Sequence, residues 1–222
     1  MATDRSKGRT ITLVRHGETD GNVDDRAQGH FDAGLTQRGL NQALCAAQSL
    51  VDAGISVIYS SDLRRAKMTT KAFTDLKPEI KVSFRPDIRE THYGDYENKS
   101  WNFIRECDPA FFWKWIDWET RTDARFPNGE SERDMWRRVG AFTEEMLDTH
   151  DAPRENILIV AHGGSLRALL ARLLKLRIAD QWRFMLDNAS VTVLKEHAFM
   201  PSRWQAHLLN DIHHLKRLNS RG

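Results

Sequence analysis

The segment Ile157–Ser165, ILIVAHGGS, joins five uncharged apolar residues directly to a histidine, two glycines and a serine. A continuous apolar run of this kind is typical of a strand that is buried on both faces of a parallel sheet. Ile157 to Ala161 therefore predicts a strand. The pattern from Leu166 to Leu176 predicts a buried helix directly after it.

An earlier segment has the same organisation. Ile11 to Val14 predicts a short buried strand, and it runs into Arg15, His16 and Gly17. In open α/β sheets, ligands bind outside the carboxyl ends of the strands. His16 and His162, each just after a strand and just before a glycine, are therefore expected to serve one common site.

Strands and helices alternate over the rest of the chain. Thr36 is predicted to cap a helix closed by Gly54, Asp62 to cap another, and Ser131 with Asp134 to form a capping box. Further strands are predicted at Ile55–Tyr59, Lys81–Phe84, Val191–Leu194 and Trp204–Leu209. The alternation predicts an α/β three-layer sandwich, a mainly parallel sheet with helices on both faces. Residues 1–222 are expected to form a single domain, with an aromatic-rich helical cap insertion at about 85–130 over the site.

The composition restricts the classes of protein. The 222 residues carry a net charge of +2, which indicates neither nucleic acid nor a membrane as a partner. The start, MATDRSKGRT, shows no signal peptide, and no run approaches the ~18 apolar residues of a membrane span. Cys45 and Cys107 lack a CxxC spacing and fit a reducing compartment. A cytoplasmic location is therefore expected.

A third predicted strand delivers polar groups to the same edge of the sheet. It ends at Ser60, Ser61 and Asp62, and Arg64 and Arg65 follow in the first turn of a helix. Arginine side chains and helix N-termini bind phosphate oxygens, and glycines let the backbone approach a ligand. The expected occupant of the site is a phosphoryl group.

These motifs resemble the histidine phosphatase superfamily, the group of cofactor-dependent phosphoglycerate mutases and acid phosphatases. RHGET at 15–19 matches the signature of that family. The resemblance continues through LTQRGLNQA at 35–43, SSDLRRA at 60–66, RETHYGDYEN at 89–98, PNGES at 127–131 and AHGGSLRALL at 161–170. Two positions depart from the pattern: Gly21 stands where a tryptophan is common, and Asn98 where a glycine usually follows the glutamate. Both flank the pocket, so they are expected to affect the fit of the substrate more than the chemistry.

The resemblance implies a metal-independent phosphomonoesterase that acts through a phosphohistidine and needs no cofactor. His16 is the expected nucleophile, and the sequence leaves open which ring nitrogen attacks. Glu90 is the expected general acid and base, with Glu97 as a poorer candidate. Arg65 is expected to be structural. The residues expected to hold the phosphoryl group or the substrate are Arg15, Arg64, His162, Gly163, Asn22, Gln28 and Gly29.

Two other functions stay open. A phosphoglycerate mutase would use the same nucleophile and return the phosphoryl group to substrate; THYG at 91–94 resembles that branch, whereas GDYEN at 94–98 resembles the phosphatases. A catalytically silent binding scaffold would have lost a core residue, and none is missing. Ser165 lacks the GxSxG context of a serine nucleophile, and no HExxH spacing indicates a metal site.

The tryptophans at 101, 113, 115 and 118 cluster in the insertion. They either pack on the sheet or cover the pocket and select an apolar or ring-bearing leaving group. The expected substrate is a small phosphorylated metabolite whose leaving group the sequence does not specify. The resemblance also suggests a homodimer.

Overall fold

The computed structural model describes residues 8–152 and 154–219, and these contain a six-stranded central sheet. Its strands are β1 (Thr10–Arg15), β3 (Val57–Ser61), β4 (Lys81–Arg85), β6 (Asn156–Ala161), β7 (Val191–Glu196) and β8 (Trp204–Asp211). They lie in the order β4-β3-β6-β1-β7-β8. The first four in this order are parallel, as expected for a mainly parallel sheet, and the hairpin of β7 and β8 forms an antiparallel edge.

Helices cover both faces of this sheet. On one face, α6 (Glu132–Thr149) and α7 (Gly163–Leu173) pack around Phe142 and Leu169. On the other, α2 (Gln37–Ser49), α3 (Arg64–Leu76) and α8 (Lys216–Asn219) pack around Ala46 and Phe73. Ile157 to Ala161 are fully buried between the layers, which explains their uncharged run. The predicted three-layer α/β architecture is confirmed.

The insertion between β4 and α6 consists of short elements. It contains β5 (Lys99–Ser100), α4 (Trp101–Cys107), α5 (Pro109–Ile116) and 3-10 turns at Pro86–Ile88, Gly94–Tyr96 and Arg121–Asp123. Strand β5 pairs with β2 (Arg26–Ala27) in the loop that follows β1, so the insertion is tied to the ends of the central strands. Trp101 and Trp115 stack with ring centroids 4.5 Å apart, whereas Trp113 and Trp118 are 59% and 52% exposed. One pair of tryptophans therefore packs inward and the other faces solvent.

Two predicted helix boundaries are wrong. Helix α2 begins after its N-cap Thr36, as expected, but it ends at Ser49, and Gly54 lies in the following turn with a φ of +68°. Helix α3 has Leu63 as its N-cap, because the carboxylate of Asp62 pairs with Arg89 at 2.6 Å instead. The predicted capping box of Ser131 and Asp134 at the start of α6 is confirmed.

Within the described residues, no helix is both long and apolar enough to cross a membrane. Residues 1–7, on which the expectation about a signal peptide rests, lie outside the described part of the chain.

Candidate active site

The carboxyl ends of β1 and β6, the start of α7, the loop after β1 and the insertion border a cavity of about 440 Å³. Most of the residues expected to form the site line it, namely Arg15, His16, Asn22, Gln28, Gly29, Glu90 and Gly163. Arg64 and His162 do not. The cavity is therefore built where the sequence analysis expects it, with two differences in its walls.

His16 presents one ring nitrogen to this cavity. Its Nδ1 lies 2.7 Å from the carbonyl oxygen of Gly17, and because a carbonyl only accepts, Nδ1 carries the proton. Nε2 then carries the lone pair, and it forms no hydrogen bond with any described residue. Burial, together with the guanidinium groups of Arg65 and Arg15, lowers the pKa of His16 well below 6.5. The ring is thus neutral at physiological pH, with Nε2 available as a nucleophile.

Arg65, and not Arg64, is the arginine of α3 that reaches the cavity. The side chain of Arg65 is buried, and Nη1 and Nη2 donate to the carbonyl oxygens of Phe31 and Gly29 at 2.8 and 2.7 Å. Arg64 is exposed, and its backbone N–H donates to Asp32 at 2.7 Å. The expected placement of the two arginines is therefore wrong, because adjacent residues on a helix point about 100° apart. Burial lowers the pKa of Arg65 to about 10, so the guanidinium stays charged at neutral pH.

His162 is fully buried behind the cavity wall, with its ring centroid 5.1 Å from that of His16. Its Nδ1 accepts a hydrogen bond of 3.1 Å from Nε of Arg65, and its Nε2 lies 2.8 Å from Oγ of Ser61. Both ring nitrogens are therefore engaged by the protein. His162 was expected in the phosphoryl cradle itself, but it lies outside the cavity lining, where it orients Arg65.

Arg15 carries a donor that the protein leaves unsatisfied. Its Nη1 donates to the carbonyl oxygen of Leu186 at 2.7 Å, but its buried Nε has no hydrogen-bond partner among the described residues. Nearly all buried polar groups in folded proteins are paired, so such an atom requires an explanation. A Cβ on Gly163 would lie 3.7 Å from this Nε, which places the donor at the start of α7. An anionic ligand in the cavity would supply the missing acceptor.

The side-chain amides of Asn22 and Gln28, in the segment after β1, both direct their oxygens towards partners within the protein. Asn22, in α1 (Asp20–Val23), accepts at Oδ1 from the backbone N–H of Thr19 and from Nδ2 of Asn188, both at 3.1 Å. Oε1 of Gln28 accepts from the hydroxyl of Thr19 at 2.8 Å. Because both amide oxygens are engaged within the protein, the amide NH₂ groups of Asn22 and Gln28 remain as donors for the cavity.

Gly21, the first departure from the family pattern, makes room for Gln28. A Cβ at position 21 would lie 2.6 Å from Cγ and 2.7 Å from Cδ of Gln28. Any side chain there would displace this amide. The second departure, Asn98, has a φ of +60°, in the left-handed region that glycine favours and asparagine tolerates.

Glu90 lies over the start of α7. Its Oε2 accepts from the backbone N–H of Gly164 at 2.9 Å, and its Oε1 from the backbone N–H of Thr91 at 2.9 Å. A side chain at position 164 would collide with this carboxylate, which explains the second glycine of the HGGS segment. The carboxylate is thus fixed at the edge of the cavity that it lines.

The backbone that carries Glu90 is held by Arg138 of α6. The guanidinium donates to the carbonyl oxygens of Arg89 and Glu90 at 2.8 and 2.7 Å and pairs with Glu130 at 2.8 Å. Glu97, the poorer acid–base candidate, does not line the cavity, and its Oε1 accepts from a backbone N–H at 2.7 Å. Of the two glutamates, only Glu90 therefore lies where it can reach a ligand in the cavity.

The far end of the cavity contains Trp101 and Trp115, two of the tryptophans expected either to pack on the sheet or to cover the pocket, together with side chains not among the expected site residues. It is lined by Tyr93, Trp101, Trp115, Glu132, Arg167 and Trp182. The buried carboxylate of Glu132 accepts from Nε of Arg121 at 2.8 Å and from Nε1 of Trp182 at 2.9 Å, and burial raises the pKa of Glu132. One sequence signal for Arg167 exists, because it lies one helical turn after Gly163 and so on the same face of α7.

The comparisons with known proteins agree with this geometry, in which a neutral histidine lies between buried arginines at the edge of an α/β sheet. Residues 11–212 match the model of the histidine phosphatase superfamily (branch 1), and the chain belongs to this family of phosphoryl-transfer enzymes. The expected family is therefore confirmed.

The relatives of the chain include both phosphatases and a mutase. It is 33% identical over 219 residues to a glucosyl-3-phosphoglycerate phosphatase of Mycobacterium tuberculosis, covering 92% of this chain and 95% of that protein. It is 30% identical over 174 residues to a 2,3-bisphosphoglycerate-dependent phosphoglycerate mutase of Bartonella henselae, covering 74% and 81%. The solved structure of an alpha-ribazole phosphatase from Shigella flexneri superposes with a TM-score of 0.82 at 28% identity, covering 91% of this chain and 96% of that one.

Proposed function

We propose that this histidine phosphatase is a metal-independent phosphomonoesterase that hydrolyses a small phosphorylated metabolite through a phosphohistidine at Nε2 of His16. The tautomer of His16 carries the proposal, because the proton held by Nδ1 leaves the Nε2 lone pair to the cavity. Around it, the unpartnered Nε of Arg15 and the guanidinium of Arg65 supply donors for the nonbridging oxygens. Phosphoryl transfer depends mainly on such positioning and charge stabilisation.

In the first step, Nε2 of His16 attacks phosphorus while the bond from phosphorus to the leaving oxygen breaks. Glu90, protonated when the ester binds, gives its proton to that oxygen, and the alcohol departs. Arg65 has five N–H donors, of which the protein uses three, so two remain for the phosphoryl oxygens. The NH₂ group of Asn22 adds a further donor.

In the second step, water attacks the phosphorus of phosphohistidine 16 and the P–N bond breaks. Glu90, now a carboxylate, accepts the proton of the water. The products are inorganic phosphate and the neutral imidazole. The cycle needs no further reactant.

A mutase is the second candidate, and the relative from Bartonella henselae is the observation that favours it. In that reaction the phosphoryl group on His16 returns to a hydroxyl of a bound phosphoglycerate and not to water. The first step and its residues are the same. Only the acceptor differs, so product analysis separates the two.

The test is turnover of p-nitrophenyl phosphate in the presence of EDTA, together with trapping of the phosphoenzyme by an alkaline denaturing quench, in which phosphohistidine is stable. We expect hydrolysis, an acid-labile phosphate on His16, and ³¹P NMR of the denatured protein that identifies the Nε2 adduct. His16→Ala should abolish both signals, and His213→Ala, the same change at an exposed histidine, should retain them. Conversion of 3-phosphoglycerate to 2-phosphoglycerate after bisphosphoglycerate priming would establish the mutase instead. An Nδ1 adduct, or turnover by the His16→Ala variant, would refute the proposed mechanism.

We also propose a cytoplasmic location, in keeping with the free thiols of Cys45 and Cys107. The proposed partner is the small substrate, with neither nucleic acid nor a membrane involved, in keeping with the net charge of +2. A homodimer is proposed from the family resemblance, and light scattering of the purified protein tests it.

A further inference from the structure

Arg167 is a third cavity arginine with unused donors. Its Nε donates to the carbonyl oxygen of Phe184 at 2.9 Å, and its guanidinium lies 4.7 Å from the ring centroid of Trp182. These two contacts fix the plane of the group. Its Nη1 and Nη2 form no hydrogen bond or ion pair with any described residue, although the side chain lines the cavity. Four N–H donors are therefore left for a ligand, and two of them, one on each Nη, point in parallel.

The acidic groups of the cavity do not neutralise Arg167. Glu132 is paired with Arg121 at 2.8 Å, and both oxygens of Glu90 accept from backbone N–H groups. Arg26, another arginine of the cavity wall, differs from Arg167 because it is half-exposed and pairs with Asp24 at 3.2 Å. Among the described residues, Arg167 thus forms no direct ion pair, and the charges of Glu90 and Glu132 act on it only from beyond salt-bridge distance.

The phosphoryl group already has its own cations. A phosphate monoester carries about two negative charges at neutral pH, and Arg15 and Arg65 supply two positive charges around His16. Arg167 lies beyond them, on the second turn of α7, against the aromatic end of the cavity formed by Trp182. Its charge is close enough to Arg15 to lower the pKa of that residue. A second anionic group on the ligand, adjacent to the phosphoester, would satisfy both its charge and its donors.

We infer that Arg167 binds a carboxylate on the leaving group, so that the preferred substrates are phosphomonoesters of hydroxy acids. The inference rests on the proposed phosphatase function and specifies its substrate class. A carboxylate is planar, and it matches the two parallel donors of a guanidinium fork whose orientation is already fixed. Arg167 is then the residue that distinguishes the correct leaving group from a neutral one.

Pairs of substrates that differ in the carboxylate test the inference. The pairs are 3-phosphoglycerate with glycerol 3-phosphate, and O-phosphoserine with O-phosphoethanolamine; p-nitrophenyl phosphate reports on the phosphoryl site alone. For the wild type, we expect kcat/KM to be about 10- to 100-fold higher for the acid of each pair, as for a hydrogen bond to a charged group. Arg167→Gln should remove that preference, and its kcat/KM should fall about 10-fold or more further for the acid of each pair than for p-nitrophenyl phosphate. Arg167→Lys, which keeps the charge and loses the fork, should retain part of it.

The outcomes separate this inference from the proposed function. Failure of the wild type to hydrolyse p-nitrophenyl phosphate contradicts the phosphatase function. Normal turnover of that probe without preference for either acid contradicts only the role of Arg167. An equal loss on all five substrates in Arg167→Gln, with an unchanged Tm, would make Arg167 a ligand of the phosphoryl group and overturn the inference. The matched control is Arg137→Gln, which replaces an exposed arginine of α6 outside the cavity and should alter none of these values.

Discussion

Nε of Arg65 donates a hydrogen bond of 3.1 Å to Nδ1 of His162. Because a guanidinium cannot accept, Nδ1 is unprotonated, and the proton of the neutral ring lies on Nε2 and is donated to Oγ of Ser61 at 2.8 Å. Burial, and next the charge of Arg65, lower the pKa of His162 well below 6.5, which keeps the ring in this state. Ser61 at the end of β3 and Arg65 in the first turn of α3 are thereby linked through the imidazole of His162, which directly follows β6.

The first prediction concerns the two adjacent arginines of α3. Arg65→Gln should reduce kcat about 10²- to 10³-fold, the usual effect of removing one group that stabilises charge in the transition state. Arg64→Gln should change kcat less than twofold, because its side chain is exposed and outside the cavity. Steady-state kinetics with p-nitrophenyl phosphate measures both. The reverse order of effects would show that the side chains exchange places when substrate binds.

The error over these arginines has a physical origin in the tertiary contacts of α3. Asp62 was a reasonable N-cap by residue type, and a helix starting there gives no reason to prefer Arg65. The carboxylate of Asp62 instead pairs with Arg89, and the helix begins at Arg64. The buried positions Arg65 and Thr69 lie four residues apart on one face of α3, and the packing of the helix on the sheet determines that this face is buried.

The other residues of the site also fall into those that the sequence predicts and those that it does not. The strand-end residues His16 and Gly163 were predictable because an uncharged strand run locates the edge of the sheet, and the family motif identifies the chemistry. The far end of the cavity combines Tyr93 of the insertion, Arg167 of α7 and Trp182 of a 3-10 segment. No local pattern relates three such distant segments, so only tertiary packing brings them together.

The second prediction concerns the pH dependence of activity. The lowered pKa of His16 means that the reactive neutral ring persists as the pH falls through 6.5. As far as His16 is concerned, kcat/KM should therefore stay constant through pH 6.5 and decrease only well below it. Arg65→Gln removes a positive charge that lowers this pKa, so the acidic limb of its profile should move to higher pH. An acidic limb at 6.5 or above in the wild type, assigned to His16 by NMR titration, would contradict the described burial.

The same shifts predict a loss of stability in acid. Below pH 6.5 the unfolded chain protonates these histidines, while the folded chain keeps His16 and His162 neutral, and His30 has its pKa lowered to about 4. The unfolded state then binds more protons, so the free energy of unfolding must decrease as the pH falls from 6.5 towards 4. Urea unfolding at pH 7 and pH 5 measures the decrease. His16→Asn should make it smaller, and an unchanged slope in that variant would contradict a neutral buried His16.

The third prediction concerns Gly21 and Gln28. Gly21→Ala places a Cβ against the side chain of Gln28 and should displace its amide, which raises KM with a smaller effect on kcat. Gln28→Ala should raise KM similarly. If the effect of Gly21→Ala acts through Gln28, the double variant should be no worse than Gln28→Ala alone, as a double-mutant cycle detects for coupled neighbours. Additive effects would show that Gly21 acts on the substrate directly.

The fourth prediction tests Glu90 as general acid and base. A leaving group with a low pKa needs little protonation, so Glu90→Gln should slow an alkyl phosphate about 10²- to 10⁴-fold and affect phosphoryl transfer from p-nitrophenyl phosphate much less. The same variant lacks the base for the second step, so the phosphoenzyme should accumulate and give a burst of nitrophenol. Glu97→Gln is the matched control. Glu97 accepts a hydrogen bond from a backbone N–H and does not line the cavity, so this variant should show neither effect. Rapid-quench measurements on both variants decide the role: an equal loss for both leaving groups, without a burst, would limit Glu90 to ordering the start of α7 through its bond to Gly164.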